Sequence, residues 1–299
     1  MQRRVFRHEL KRHRMAFTNL SLGPMRHHEA AKLARWAVDE GWNPGKADIS
    51  IAWETDRDAF IALRKGDDLL GGGTIFSYDG LFGFMGLFII RSDLRSEGLG
   101  KQLWTYRLKH LQARLAPGAP IGMDGVFAMV PFYERGGFGF AHKDVRFQGI
   151  AQGTRDAEVL ELDPGTVAIV DRFDRSHFPA PRTLFLQRWM FQAGAHALGL
   201  FERGELAGYG VARPACMGYK IGPLFASRPD VAERLARSLM ARVAGEQVQL
   251  DVPEPNEAGV RLASALGLKE VFGCARMYYG TPPNLPTERI FGVTSFEFG

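Results

Sequence analysis

Leu33, Trp36, Ala37 and Glu40 fall at i, i+3, i+4 and i+7, which predicts a helix with Glu40 at the end of its inward stripe. A short strand starting at Phe17 and a turn at Gly23-Pro24 precede it, and Gly41 stops it. Trp42-Asn43-Pro44-Gly45 reads as a turn. Apolar runs then predict strands over 51–53, 60–64 and 69–78, with Gly66-Asp67-Asp68 and Asp79-Gly80 as turns. Connections this short make antiparallel hairpins and not βαβ crossovers. A strand over 82–90, a glycine-containing loop over 91–100 and a helix over 99–113 come next. A strand over 121–128, a short helix over 131–136 and a strand pair within 138–150 complete this half.

The second half repeats the plan weakly. It reads as a helix over 185–193 and a hairpin of 197–201 with 206–212, then a strand over 219–226. A helix carrying Val231, Leu235, Leu239 and Val243 at i+4 spacing follows, then a strand over 247–252 and a helix over 257–266. Met123-Asp124-Gly125-Val126 leads to a helix ending Gly136-Gly137-Phe138. Leu250-Asp251-Val252 leads to one ending Leu266-Gly267-Leu268. A repeat of this period predicts two copies of one domain. We place them at 15–152 and 153–299, the boundary lying near the turn Asp163-Pro164-Gly165. A chain of 299 residues agrees with two domains at roughly 100–200 residues each.

Composition narrows the class. Hydrophobic residues make up 45%, charged residues 24% and aromatics 11%, a globular mixture and not a disordered one. The longest near-apolar run, 81–90, is too short to span a bilayer, so no membrane helix is expected. The two cysteines, Cys216 and Cys274, make no disulfide framework and suggest a reducing, cytoplasmic setting. Cys216 is expected as a small buried side chain. The formal charge is +5, yet residues 1–14 carry six Lys/Arg against one acid, so the remainder is neutral. That segment has no apolar stretch of a secretory signal and is read as a basic, disordered extension. A phosphate-binding arm is the alternative, but nucleic acid is not the expected partner of a neutral body.

The chemistry concentrates at Arg95-Ser96-Glu97-Gly98-Leu99-Gly100, between a strand and a helix. Glycines there let the backbone turn tightly and expose successive N–H groups at a helix N-terminus, which suits a pyrophosphate. The nucleoside-triphosphate loop G-x-x-x-x-G-K-[ST] fails, because Arg95 precedes and Gln102 follows. The dinucleotide fingerprint fails at Leu103 and lacks a preceding parallel sheet. His27-His28 have no ligand companions, no H-E-x-x-H occurs, and no metal is expected. No G-x-S-x-G elbow occurs. Gly71-Gly72-Gly73 reads as close packing or a bulge within a strand.

Arg95-x-x-Gly98-x-Gly100 resembles the R/Q-x-x-G-x-G/A loop of the GNAT superfamily of acyl-CoA-dependent N-acetyltransferases. Leu87-Phe88-Ile89-Ile90 is similar to that family's fourth strand. Pro131-Phe132-Tyr133-Glu134-Arg135-Gly136-Gly137-Phe138 is similar to its A-x-x-F/L-Y-x-x-x-G-F segment. The second half resembles a degenerate GNAT domain: Ser227-Arg228-Pro229-Asp230-Val231-Ala232-Glu233 lacks both glycines and places acids where a pyrophosphate would lie.

The resemblance implies an α/β (α+β) fold of two tandem GNAT-like domains. Each is a mixed, mostly antiparallel twisted sheet flanked by helices. It implies acetyl-CoA as cosubstrate, held by Phe88, Ile89, Ile90, Arg95, Ser96, Glu97, Gly98, Leu99, Gly100 and Lys101. Direct transfer to a small-molecule or peptide amine would follow, with Tyr133 protonating the departing thiolate. Asp124 and Glu40 are candidates for the base, although the Asp251 counterpart of Asp124 suggests a fold role. Trp42 is read as a pocket wall or as core. A non-catalytic acyl-CoA-binding module is the alternative, and the oligomeric state is left open.

Overall fold

The computed structural model describes residues 19–299; the reading of residues 1–14, and the start of the first strand at Phe17, lie outside the described residues. The first half runs β1 (Leu20–Pro24), α1 (His27–Asp39), α2 (Asp48–Thr55), β2 (Phe60–Lys65), β3 (Asp68–Tyr78), β4 (Phe82–Ile90), α3 (Leu99–Gln112), β5 (Ile121–Gly125), α4 (Val130–Arg135) and β6 (Phe138–Ile150). The second half runs β7 (Val159–Glu161), α5 (Val167–Asp174), α6 (Thr183–Met190), β8 (His196–Glu202), β9 (Glu205–Pro214), β10 (Tyr219–Ala226), α7 (Pro229–Arg242), β11 (Gln247–Pro253), α8 (Glu257–Ala265), β12 (Lys269–Tyr279) and β13 (Ile290–Gly292).

Several expectations are corrected. The run at 51–53 is helical, not a strand. α2 buries Asp48, Ile51 and Ala52, an i, i+3, i+4 face that three apolar residues could not reveal by periodicity. The strand expected over 121–128 ends at Gly125, and Phe127–Met129 forms a 3-10 turn. The strand pair within 138–150 is one strand of 13 residues. Cys216 is exposed, whereas Cys274 is buried.

The strands form one mixed α/β sheet in the order β1-β2-β3-β4-β5-β12-β6-β11-β10-β9-β8-β7, with β13 beside β10. Among the described residues only β4–β5 and β10–β11 pair in parallel. The halves exchange their last long strands. β12 lies between β5 and β6, and β6 lies between β12 and β11. Long-range pairing explains why the polar middle of β6, His142-Lys143-Asp144, is extended: β12 holds it on one side, and Asp144 also faces Pro253 on the other.

Among the described residues three apolar clusters support the sheet. One lies beneath α3, one beneath α7 and α8, and one spans both halves. The shared cluster is aromatic: Tyr78 meets Phe178 edge-on at 4.8 Å and Phe76 meets Phe298 at 5.1 Å. The Tyr78 hydroxyl donates to the Phe298 carbonyl at 2.7 Å, which ties residues 294–299 into the interior.

Candidate active site

β4 and β5 pair only at Gly83–Ile121 and Phe84–Gly122, and then diverge. Leu87 has a left-handed φ of 50°, and the β3–β4 register shifts across Gly72 and Thr74. Such a bulge bends a strand and frees its backbone groups. The opening holds a cavity of about 400 Å³, walled by β4 from Met85 to Ile90, the start of α3, and Tyr133 of α4. Glu40 and Trp42 stand on its first-half side, while Phe272, Cys274, Phe296 and Glu297 enter from the other half.

The glycine loop borders this cavity. Ser96 and Gly98 take φ values of 70° and 79°, the left-handed region that favours glycine. Gly98 is the N-cap of α3 and supplies no side-chain acceptor. The first-turn N–H groups therefore have no intrahelical partner and suit an anionic ligand. Phe88, Ile89, Ile90, Arg95, Ser96 and Gly100 line the cavity; Glu97, Gly98, Leu99 and Lys101 are in the same loop but not in its wall. Leu99 packs inward beneath α3, and Lys101 is exposed. Arg95 donates to the Ile90 carbonyl at 3.1 Å and forms an ion pair with Glu40. Glu40 thus caps α1 at the cavity mouth instead of continuing a buried stripe.

Tyr133 is buried, with its ring 5.1 Å from that of Trp104. Burial pushes its hydroxyl up to about 12, against the pull of Arg107. Arg107 is itself buried, without a carboxylate partner among the described residues, and donates to the carbonyls of Thr74 and Gly86 at 2.6 and 2.7 Å. Burial brings its guanidinium down to about 9. A Cβ at Gly73 would lie 2.5 Å from the Arg107 guanidinium carbon, so this part of the triple glycine provides packing space.

Asp124 lines the cavity, but both its oxygens accept N–H bonds from Arg276 of β12 at 2.7 Å. Burial and the neighbouring Asp144 push its carboxyl well above the usual range, against the pull of Arg276. For Asp144 burial is outweighed by Arg276 and His142, and its carboxyl is held low. Trp42 both lines the cavity and packs on the shared core.

Sequence reasoning missed Arg107, Phe272, Phe296 and Glu297. For Phe296 and Glu297 the local signal is the alternation Ser295-Phe296-Glu297-Phe298, which sets an acid apart from two aromatics.

The matching opening in the second half is filled by the chain itself. β13 pairs with β10 at Leu224–Gly292 and Phe225–Ile290, and the Val293 N–H donates to the Asp251 carbonyl at 2.8 Å. Pro229 begins α7 without an N–H, and Arg228 is engaged by Glu202 and Asp230.

Two family models, an acetyltransferase (GNAT) family model and an acetyltransferase (GNAT) domain model, match residues 26–140 and 170–292, together more than half of the chain. The chain belongs to the GNAT superfamily, with two GNAT domains in tandem. The holothin acyltransferase of Pseudoalteromonas sp. (strain SANK 73390) is 25% identical to this GNAT protein over 267 residues, covering 88% of this chain and 89% of the relative. A solved structure of a suggested acetyltransferase from Pyrococcus horikoshii aligns with a TM-score of 0.79 at 21% identity, covering 95% and 97% of the two chains. A tandem GNAT protein from the clavulanic acid biosynthesis pathway aligns at 0.59 with 13% identity, covering 89% and 99%. These structural likenesses concern the fold. Among the described residues no group of three or more His, Cys, Asp or Glu could hold a metal, and no helix is long and apolar enough to cross a membrane.

Proposed function

We infer that this GNAT protein is an acetyl-CoA-dependent N-acetyltransferase acting on a primary amine of a small molecule or peptide by direct transfer. The observation that carries the reading is the junction of three features. A left-handed glycine loop opens α3, β4 splays from β5, and Tyr133 faces the cavity between them. The loop N–H groups suit the cosubstrate's pyrophosphate, and the freed edge of β4 at Phe88, Ile89 and Ile90 suits its amide-bearing arm.

In this reading the amine nitrogen attacks the thioester carbonyl, the C–S bond breaks, and Tyr133 protonates the sulfur. A phenol held near 12 stays protonated at neutral pH and has its proton to give. Glu40 orients Arg95 at the mouth. Asp124 fits a base less well, since Arg276 occupies both its oxygens. The name of the holothin acyltransferase relative favours a small-molecule acceptor. We place the catalytic unit at 15–152 and the degenerate unit at 153–299, in the cytoplasm.

Calorimetry with acetyl-CoA and a thiol-release assay over an amine panel test this. One acetyl-CoA per chain and acceptor-dependent CoA release are expected, because β13 fills the second opening. Tight binding with no release from any amine would favour a non-catalytic module. No binding would overturn the loop assignment.

A further inference from the structure

Glu297 is 4% exposed and lines the cavity, and its Oε2 has no hydrogen-bond partner among the described residues. Leaving a buried carboxylate oxygen unpaired is costly, so such a group calls for a function. Its backbone is fixed. The Ser295 hydroxyl accepts N–H bonds from Glu297 and Phe298 at 3.2 and 3.1 Å. A Cβ on Gly86 would fall 2.1 Å from the Glu297 carbonyl oxygen. Glu297 therefore sits against β4 beside the left-handed Leu87, where the strand leaves β5.

Two cations feel its charge, Arg146 of β6 and Lys220 of β10. Neither closes a hydrogen bond on it. Arg146 directs its N–H groups to Asp251 and the Trp42 carbonyl, and Lys220 points to the same carbonyl. The carboxyl group is thus flanked by cations, and neither closes a hydrogen bond on it, at a residue that lines the cavity. The walls beside it are aromatic: Trp42, Phe272 and Phe296.

We propose that Glu297 docks the acceptor amine and takes its proton, and that the acceptor is a compact, ring-bearing amine without negative charge. The inference rests on the acyltransferase reading and deepens it. The nitrogen lone pair forms the C–N bond, and the C–S electron pair leaves on sulfur. The docked ammonium first gives one proton through Glu297 to solvent to free that lone pair; after attack the nitrogen's second proton passes to Glu297, and sulfur receives one from Tyr133. Solvent exchange restores both groups, so the products are an amide and free CoA.

The test uses the full chain in three measurements. Acetyl-CoA affinity by calorimetry reports the acyltransferase reading alone. Binding of 2-phenylethylamine to the CoA-loaded protein is compared with 3-phenylpropanol and 3-phenylpropanoate. The wild type should prefer the amine, and Glu297→Gln should weaken it at least ~10-fold, while acetyl-CoA affinity stays within about threefold. With the panel amine that turns over fastest, Glu297→Gln should lower kcat by ~10²–10⁴-fold. Should the Gln variant fail to fold, Glu297→Asp keeps the charge but withdraws it by one methylene, and the same losses are expected. No amine preference in the wild type, or a variant with unchanged kcat, overturns the proposal even if acetyl-CoA binds normally.

Discussion

Arg276 and Asp124 face each other across β12 and β5 and share two hydrogen bonds of 2.7 Å. Arg146 and Asp251 repeat the arrangement across β6 and β11, again at 2.7 Å. In each case the arginine comes from the strand that one half lends to the other. The duplicated aspartates thus mark reciprocal clamps that hold the exchanged strands in register and fix one wall of the cavity.

Breaking a clamp from the arginine side leaves buried charge behind. Arg276→Met should destabilise the protein by about 3–5 kcal/mol, since Asp124 and Asp144 lose their common cation. The cost should shrink as pH falls. Without Arg276 both carboxyls are favoured protonated in the folded state, so stability absent at neutral pH returns below their raised folded pKa values. Urea unfolding at several pH values checks this; a pH-independent loss would point to packing alone.

Lys220 gives a second pH signature. Burial, with Arg146 next, brings its ammonium down to about 8 from 10.5. The unfolded chain then binds more protons than the folded one between those values, so the Lys220 contribution to stability rises with pH across that window. The change is on the order of 3 kcal/mol at about 1.36 kcal/mol per unit. Unfolding of the wild type and Lys220→Met at pH 7.5 and 10 isolates it. The rise should be smaller in the variant by that order, and equal rises would contradict the burial argument.

Gly98→Val tests the loop. The fold leaves open space around a Cβ at Gly98, but φ is 79°, which a β-branched residue resists. The expected outcome is loss of acetyl-CoA binding by calorimetry with the protein still folded by circular dichroism. Normal affinity in a folded variant would detach the loop from the cosubstrate.

How much of this could be read in the chain follows from how local each feature is. The loop from Arg95 to Gly100 and the segment around Tyr133 are contiguous, and their glycine and aromatic spacing is visible without any tertiary knowledge. Helices α1, α3 and α7 carry their own periodicity. The strand exchange leaves no comparable trace. β6 reads as a broken pair because the partners that straighten it, β11 and β12, lie about 100 residues or more away. Glu297 belongs to the cavity only because residues 290–293 first fill the second half's opening and direct the following residues against Gly86. Asp124 could be singled out by repetition, but its partner could not, since Arg276 is 152 positions away.

Tyr133→Phe separates chemistry from packing. The ring stays against Trp104, and only the hydroxyl is removed. A proton donor to the thiolate acts as the C–S bond breaks, so its loss should fall on kcat and spare cosubstrate binding. General acid catalysis is worth ~10²–10⁴-fold, and water entering beside the sulfur would recover part of that. At least a ~10-fold fall in kcat is therefore expected, with acetyl-CoA affinity within about threefold, under one kcal/mol. The variant should also lose any alkaline limb that reflects a phenol near 12, provided chemistry limits the rate. Single-turnover thiol release from saturating acetyl-CoA meets that condition. Unchanged release there would reduce Tyr133 to a packing residue and leave protonation of the sulfur to solvent.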